Sequence, residues 1–382
     1  MSTLFKNSTK DKVLKPKKQL LPTIRPRSHS VNLLEYTSDR LMATWFTGSR
    51  EGSEDQVAVS STLDPLKKKW SDPTVILSQF DYDGDRWVPE QTCPIETGEG
   101  ETMIYTWANP LSSFRLFDRK DGKVSGEAGS DSISSTITYG KAWGRDLPEC
   151  RPFRFRLKND RAVDIECISG QHGLPERGIV FQGQPVLRDV KLGPAGGWLI
   201  PYHTERDPLW MHSRFLSVEG DGITSTVNNI DLFENPGCLE PALAQFPDGR
   251  WLCYMRYGGS GGFIWRSESL DGGCTFSKPV LTNLRNPHSG IDIAVGHSGR
   301  LLILYNDSHQ LRTPLTLGIS EDEGITFKTH DIETGAGEFS YPKLHQSNDG
   351  IWRAMYTYQR ECIAEVCFEE EWLLSGRKVI GL

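Results

Sequence analysis

The feature that most constrains the fold is a pattern that occurs three times between residues 238 and 358. Each copy is an apolar segment, a tight turn and a second apolar segment that ends near an aromatic residue. The copies span 241–254, 291–305 and 341–356, so their turns lie about fifty residues apart, a spacing typical of repeat architectures. One such repeat cannot bury its apolar faces alone, and several stack around an axis as blades. The pattern therefore predicts an all-β propeller.

Two shorter segments with the pattern S-x-D-x-G-x-T-F lie between these copies, at 269–276 and 320–327. In this pattern the Asp side chain can accept backbone N–H bonds within its own turn. The Gly supplies a left-handed residue, and the closing aromatic packs into the sheet. We therefore expect Asp271 and Asp322 to be structural turn residues rather than catalytic groups.

The composition allows one large domain and argues against one class of partner. The chain has 382 residues, of which 37% are hydrophobic, and its 11 Trp and 16 Phe can fill an extensive core. The formal net charge of −7 argues against nucleic acid as the main partner, because such partners are bound by basic surfaces.

The sequence carries no metal or cofactor signature. Its eight Cys are scattered without a CxxC pair or a zinc pattern, so we interpret them as buried or incidental thiols. Asp81, Asp83 and Asp85 alternate as in a calcium loop, but Gly84 stands at the wrong position and no distal Glu follows at the required distance. We predict a hairpin turn there, and we expect no metal and no other cofactor.

Three regions are expected along the chain. Residues 1–24 are basic and polar, which predicts a flexible tail. Residues 25–382 form one propeller domain with an irregular insertion or extra blade around 118–185, so six blades are expected, or seven if this segment forms one more. No apolar run reaches the length of a membrane span and no secretory leader is seen, so we expect a cytoplasmic protein without a membrane partner. Nothing in the sequence indicates an oligomeric state.

Five further motifs point to a family. They are His29-Ser30, W-F-T-G-S-R-E-G-S-E-D at 45–55, N-P-H-S-G-I-D at 286–292, R-T-P-L at 312–315 and G-E-F-S-Y-P at 337–342. Together with the S-x-D-x-G-x-T-F segments they resemble the sialidase superfamily of BNR, or Asp-box, repeat proteins, and most closely a sialidase-like branch distinct from true sialidases. The resemblance covers residues 28–77 and 186–372 and implies a six- or seven-bladed sialidase-like propeller.

The resemblance also implies site residues. True sialidases hold a substrate carboxylate with three arginines, use a Tyr and Glu pair as nucleophile, and use an Asp as acid/base. Arg256 and Arg312 match the second and third arginines, and Glu240 matches the Glu of the pair. Asp55 lies where the acid/base is expected after Arg50, which we include among the substrate-binding candidates. Two arginines from separate blades suit a carboxylate because a guanidinium binds it through two parallel hydrogen bonds.

Two departures from the family pattern concern the chemistry. The motif of the first arginine is absent, and His29 is nearby instead. The nucleophile position aligns most simply with Phe339, which cannot attack carbon, while Tyr341 lies two residues further along the strand. Little sialidase activity is therefore expected. Tyr202, His203 and Tyr341 fall at predicted strand ends and are further candidates for the site.

Two catalytic interpretations follow for an acidic sugar-like substrate. In a lyase, the arginines neutralise the carboxylate, His29 removes the acidified proton, and Tyr341 or His203 protonates the leaving oxygen in a β-elimination. In a glycoside hydrolase, Asp55 is the acid/base, and Glu240 acts with a water or with Tyr341.

Two other function classes remain open. The first is an intracellular enzyme of small-molecule metabolism that reuses the carboxylate pocket, and the second is a non-catalytic propeller that binds glycans. A screen for turnover separates the second from all enzymes, because a binding protein saturates without forming product. The partner expected in every case is an acidic small molecule or glycan.

Overall fold

The computed structural model describes residues 16–98, 100–114, 149–188, 197–204, 212–223, 230–231, 238–257 and 262–382. These residues form six antiparallel sheets arranged around an axis as the blades of a β-propeller. The predicted all-β propeller is confirmed, and the number of blades is six rather than seven. We number the blades I to VI in chain order.

The first half of the chain supplies blades I to III and one separate strand. Strand β1 is Lys17–Leu20. Blade I contains β2 (Arg27–Glu35), β3 (Leu41–Gly48), β4 (Val57–Asp64), β5 (Lys69–Trp70) and β6 (Thr74–Leu77). Blade II contains β7 (Phe80–Tyr82), β8 (Asp85–Glu96), β9 (Thr102–Pro110), β10 (Arg151–Lys158) and β11 (Arg161–Cys167), with the short helix α1 (Leu111–Phe114) after β9. Blade III contains β12 (Ile179–Phe181), β13 (Val186–Arg188), β14 (Gly197–Thr204), β15 (His212–Glu219) and β16 (Ile230–Asp231).

The second half supplies blades IV to VI. Blade IV contains β17 (Cys238–Gln245), β18 (Trp251–Tyr257), β19 (Gly262–Ser269) and β20 (Val280–Asn286). Blade V contains β21 (Asp292–Val295), β22 (Leu301–Asn306), β23 (Leu315–Ser320) and β24 (Thr326–Glu333). Blade VI contains β25 (Phe339–Gln346), β26 (Trp352–Tyr358) and β27 (Cys362–Phe368), followed by the short helix α2 (Glu370–Leu373) and the last strand, β28 (Arg377–Ile380).

The repeated pattern forms the first hairpin of blades IV, V and VI, as predicted. In each of these hairpins the glycine of the turn has a positive φ, at Gly249 (91°), Gly299 (79°) and Gly350 (85°), a conformation that suits a residue without a side chain. Apolar residues on the two strands of a hairpin then pack against the next blade. Between blades V and VI, for example, Leu304 and Trp352 belong to one buried cluster.

The S-x-D-x-G-x-T-F segments are structural turns, as predicted. In blade IV, Asp271 Oδ1 accepts the backbone N–H of Cys274 at 3.1 Å and of Thr275 at 2.9 Å. In blade V, Asp322 Oδ1 accepts the N–H of Thr326 at 2.7 Å. The closing aromatics pack inward, and the buried ones include Phe327. Likewise, Asp81, Asp83 and Asp85 belong to the predicted hairpin between β7 and β8.

The inner strands of four blades contain the same irregularity near the start of the strand. Strands β2, β8, β17 and β25 each have a bulge, in which the register with the neighbouring strand shifts. In three of them one bulge residue has a left-handed backbone although it is not glycine: Ser30 (59°), Glu240 (50°) and Tyr341 (49°). A bulge re-aims a side chain, and such strained residues cluster at functional sites. We call the end of the propeller where these bulges lie the mouth.

Both described chain ends add a strand to the outer edge of a blade. Strand β1 pairs with β27 in blade VI, and β28 pairs with β24 in blade V. The N-terminal segment therefore joins a sheet from Lys17, and Leu21 is buried, so the flexible tail expected for residues 1–24 does not extend that far. Residues 1–15 lie outside the described part.

The segment expected as an insertion around 118–185 is partly regular blade structure. Strands β10 and β11 complete blade II, and β12 begins blade III. Residues 115–148, which include part of the expected insertion, lie outside the described residues. In the parts of the chain that the structure describes, no helix is long and apolar enough to cross a bilayer, and His, Cys, Asp and Glu side chains form no cluster of metal-binding size.

Candidate active site at the propeller mouth

A network of charged and aromatic side chains from blades I, IV, V and VI lies at the mouth. We call it the mouth cluster. Its members are His29, Glu51, Glu240, Arg256, His288, Arg312, Glu338, Tyr341 and Arg360.

Arg256 of β18 connects three members of the cluster. Its Nη1 donates to Glu240 Oε1 at 2.5 Å and to the hydroxyl of Tyr341 at 3.1 Å, and its Nη2 lies 3.2 Å from Nδ1 of His288. The side chains of Arg256 and Glu240 are only 7% and 6% exposed. Removing one partner of a buried ion pair leaves an unpaired charge and strongly destabilises the folded protein. The pair therefore holds both side chains in place.

Tyr341 lies at the centre of the cluster. The guanidinium carbon of Arg312 is 5.4 Å from the centre of its ring, and the ring of His29 packs against it edge to face with centroids 4.4 Å apart. Burial, together with the negative charge of Glu240, raises the pKa of Tyr341 above its usual value. The phenol is therefore protonated near neutral pH and needs a base before it can act as a nucleophile.

Glu240 supplies a candidate base. Its second oxygen, Oε2, is buried and accepts no hydrogen bond within the described residues. A Cβ placed on Gly290 would lie 3.2 Å from this oxygen and 3.2 Å from Cδ1 of Tyr341, so both groups border the same small space. A buried carboxylate oxygen beside a phenol is suited to receive its proton.

The carboxylate of Glu338 accepts hydrogen bonds from two arginines. Its Oε1 accepts from Arg312 Nη1 at 2.7 Å, and its Oε2 accepts from Arg360 Nε at 2.6 Å. Burial alone would raise the pKa of Glu338, but the two guanidinium groups lower it well below the usual range. Arg360 also donates to Glu51, so this network joins the turn after β26 to the loop after β3.

His29 lies between the aromatic and the ionic parts of the cluster. Its Nε2 is 4.0 Å from a carboxylate oxygen of Glu51, and its side chain is 4% exposed. Burial, and next the charge of Arg360, lower the pKa of His29 to about 3, so its imidazole is neutral near pH 7. Neither ring nitrogen makes a hydrogen bond with any part of the chain that the structure describes.

Five of the predicted site residues meet in the mouth cluster, namely His29, Glu240, Arg256, Arg312 and Tyr341. A sixth, His203, is buried on β14 in blade III.

Three of the predicted site residues have other surroundings. Tyr202 is fully buried and packs against Phe181 in an apolar core, so it is a core residue rather than a part of the mouth. The side chain of Arg50 is exposed, and no hydrogen bond or ion pair within the described residues joins it to the cluster.

Asp55 organises its own loop. It accepts hydrogen bonds from the N–H of Ser49 at 3.1 Å, from Ser53 Oγ at 2.6 Å and from Arg25. Partial burial acts in the opposite direction, but the bonds from Ser53 and Ser49 lower the pKa of Asp55. A carboxyl group so stabilised in its charged form is a poor proton donor, and the residue of this loop that reaches the cluster is Glu51.

The sequence alignment of Phe339 with the nucleophile position is also corrected. Phe339 is 3% exposed and packs in the apolar core between blades V and VI. The bulge in β25 then turns Tyr341 toward Arg256, which an extended strand would not do.

Four members of the cluster were not assigned from the sequence. Glu51, His288 and Glu338 lie inside the motifs that carry the resemblance, but no role was given to them. Arg360 lies in a turn with a positive φ and belongs to no motif. Only its position in space reveals that it supplies a third guanidinium.

Comparison with known proteins identifies a repeat domain and a shared fold. Residues 167–353 match the model of a BNR repeat-like domain. The search of curated proteins gave no significant match. Similar solved structures include the NanB sialidase of Streptococcus pneumoniae, with 12% identity, a TM-score of 0.66, and coverage of 91% of this chain and 69% of that one.

Two other structures match over nearly their whole length. The intramolecular trans-sialidase of Ruminococcus gnavus has 14% identity and a TM-score of 0.66, with coverage of 91% of this chain and 95% of that one. A protein of unknown function from Dyadobacter fermentans has 13% identity and a TM-score of 0.67, with coverage of 92% and 97%. Likeness at this identity concerns the fold. The chain therefore contains a BNR repeat-like domain at residues 167–353 and has the propeller fold of these sialidase structures.

Proposed function

We propose that this protein is an enzyme that binds a carboxylate-bearing, sugar-like substrate at the mouth and cleaves its glycosidic bond with Tyr341 and Glu240. The observation that carries the proposal is the contact of one nitrogen, Nη1 of Arg256, with both Glu240 Oε1 and the Tyr341 hydroxyl. This contact holds a phenol beside a buried carboxylate, which is the arrangement that an activated tyrosine needs.

The arginines account for the acidic substrate. Arg312 and Arg360 already lie on the two oxygens of one carboxylate, that of Glu338, so their spacing suits a carboxylate group. Arg360 takes the part of the first arginine, whose family motif is absent from this sequence. The imidazole of His29 is neutral near pH 7, so it adds no further charge beside these arginines.

The proposed reaction has two steps. Tyr341 attacks the anomeric carbon while its proton passes to Glu240 Oε2, and the bond from that carbon to the leaving oxygen breaks. Water then displaces the tyrosine, which regains its proton from Glu240, and the proton that the water loses passes to the solvent. An aryl leaving group departs without a proton donor, so aryl glycosides test the tyrosine and its base separately from any acid catalyst.

A second candidate is β-elimination from a uronate, favoured by the ring nitrogens of His29, neither of which makes a hydrogen bond within the described residues. In this reaction His29 takes the proton next to the carboxylate, and Tyr341 or His203 protonates the leaving oxygen. We rank this candidate second because a conjugate acid with a pKa of about 3 makes His29 a weak base.

The test uses fluorogenic aryl glycosides of sialic acid and of glucuronic acid, with the aryl galactoside as a neutral control. We expect the protein to hydrolyse an acidic glycoside and to leave the neutral one intact. Elimination is tested with a glucuronate-containing oligosaccharide, whose unsaturated product absorbs in the ultraviolet. Saturable binding of these compounds without any product would identify a glycan-binding propeller and overturn the enzymatic proposal.

A further inference from the structure

We infer that Glu338 occupies the place of the substrate carboxylate in the free protein and gives it up when an acidic substrate binds. The two carboxylates then exchange on the same arginines, Arg312 and Arg360. A neutral sugar cannot make this exchange. The inference rests on the proposed function and adds a specificity-determining residue to it.

Glu338 binds both arginines as the carboxylate of a ligand would. One of its oxygens accepts from Arg312 Nη1 at 2.7 Å and the other accepts from Arg360 Nε at 2.6 Å, so each oxygen has its own guanidinium. The arginine side chains are largely enclosed, at 13% and 10% exposed. Without a carboxylate between them, two nearly buried charges would lose a partner, which is costly. The free protein therefore fills this position with a carboxylate of its own.

A second carboxylate is not readily added beside Glu338. The mouth cluster already contains three guanidinium groups and three carboxylates, so the charges of these groups balance. Another carboxylate on the same two arginines would lie next to that of Glu338, and two like charges at such a distance disfavour each other. Exchange avoids this cost. An acidic ligand therefore binds in place of Glu338 rather than beside it.

Glu338 lies where it can leave the arginines. Its side chain is 18% exposed, whereas that of Glu240 in the reacting pair is 6% exposed. The preceding residues 334–337 are exposed, and they include Gly335 and Gly337 with φ angles of 99° and 127°, which glycine adopts readily. A few such residues can absorb the change in backbone angles that carries a side chain into solvent.

The two arginines have other contacts that remain when Glu338 leaves. Arg360 also donates to Glu51, and the guanidinium carbon of Arg312 lies 5.4 Å from the centre of the Tyr341 ring. Both groups can therefore stay in place and receive the carboxylate of the substrate. A neutral sugar brings no charge to balance them, so it leaves Glu338 where it is and finds the position filled.

The test compares two variants that each remove one negative charge. Glu338→Gln keeps the size of the side chain but offers one acceptor and one donor in place of two acceptors, so it cannot satisfy both guanidinium groups. Glu361→Gln is the matched control, because Glu361 follows Arg360 in the chain but is 64% exposed and pairs with Arg27 outside the mouth cluster. Calorimetry measures the binding of free sialic acid, glucuronic acid and galactose, and melting temperatures check the fold.

We expect Glu338→Gln to bind one of the acids about ten- to a hundredfold more tightly than the wild type, because an internal competitor that fills the site about 90–99% of the time weakens a ligand by that factor. Ser340→Ala removes only the 2.6 Å hydrogen bond from Ser340 Oγ to Glu338 Oε1 and should give a smaller gain. Binding of galactose, and binding of the acids by Glu361→Gln, should not change. Unchanged or weaker binding of the acids by Glu338→Gln, or an equal gain with galactose or in Glu361→Gln, would overturn the exchange.

The two proposals fail separately in this experiment. Turnover of an acidic aryl glycoside by the wild type, without tighter binding of the acid by Glu338→Gln, would refute the exchange and leave the proposed function intact. Tighter binding of an acid by Glu338→Gln, without turnover by any of the proteins, would support the exchange and end the enzymatic proposal.

Discussion

Glu240 and Tyr341 occupy the same position of the inner-strand bulge in blades IV and VI. Each is the first residue of the irregular pair, each is followed by a proline, and their φ angles are 50° and 49°. The repeat of the fold has thus produced two equivalent, strained positions whose side chains border the same space at the mouth. One carries a carboxylate and the other a phenol, and Arg256 joins them. The proposed chemistry follows from this relationship.

The two members of the pair have separable roles. Glu240→Gln keeps the shape of the side chain but cannot take a proton, so we expect kcat for an acidic aryl glycoside to fall by about 10²–10⁴, the usual contribution of a general base. Tyr341→Phe should abolish turnover of the same substrate. Binding of the free acidic sugar, measured by calorimetry, should change little in Tyr341→Phe. Substantial turnover by that variant would contradict the role given to Tyr341.

The carboxylate contact is tested at Arg312. Loss of a charge-assisted hydrogen bond weakens binding by about 1.5–3 kcal/mol, so Arg312→Ala should weaken an acidic ligand roughly ten- to a hundredfold. Arg312→Lys keeps the charge but loses the planar fork and should give an intermediate value. Titration with a neutral sugar of similar size is the control. An equal loss for acidic and neutral ligands would show that Arg312 only supports the structure.

The Asp-box turns contribute to stability rather than to chemistry. Asp271→Ala leaves two backbone N–H groups and the Thr275 hydroxyl without their acceptor. We expect the free energy of unfolding to fall by about 1–3 kcal/mol, with kcat/KM of the folded protein nearly unchanged. Chemical denaturation and activity assays on the same sample measure both. An inactive variant with the stability of the wild type would argue for a catalytic Asp271.

Asp292 gives a prediction for pH. Burial raises its pKa to about 6 from 3.8, so between about pH 4 and pH 6 the folded state holds a proton that the unfolded state has lost. Stability should therefore fall as the pH rises through this window. Asp292→Asn, which can still accept the N–H of Leu344, should remove this slope and stabilise the protein at pH 7 by about 3 kcal/mol at most. Denaturation at pH 4, 5, 6 and 7 measures the effect, and identical slopes for both proteins would refute it.

The sequence predicts the fold well because the repeat and its turn chemistry are local. The Asp-boxes and the glycine turns indicate which residues form hairpins. Stacking of the blades then follows because each blade must bury its apolar faces. The blade count depended on the middle of the chain, where Arg154 and its neighbours in β10 show no turn pattern that identifies an outer strand. The outer strand β1 was missed because its lysines are typical of a solvated tail.

The site was only partly predictable because bulges and distant contacts decide it. Arg256 and Glu240 were assigned from the motifs. The nucleophile position was assigned to Phe339 because β25 was assumed to be a regular extended strand. The bulge that re-aims Tyr341 depends on pairing with β26 and has no local sequence signal. Arg360 meets Glu51 across 309 positions of the chain, a contact that no spacing rule reveals.

The most direct test of the central claim is to trap the covalent intermediate. A fluorinated glycosyl fluoride of the acidic sugar that the protein hydrolyses slows the second step and allows the tyrosine-bound sugar to accumulate. Intact mass followed by peptide mapping should show one added sugar on the peptide that contains Tyr341, and no adduct in Tyr341→Phe. An adduct on another residue, or turnover of the acidic glycoside with an unsaturated product, would contradict the assignment of Tyr341 and Glu240 as the reacting pair.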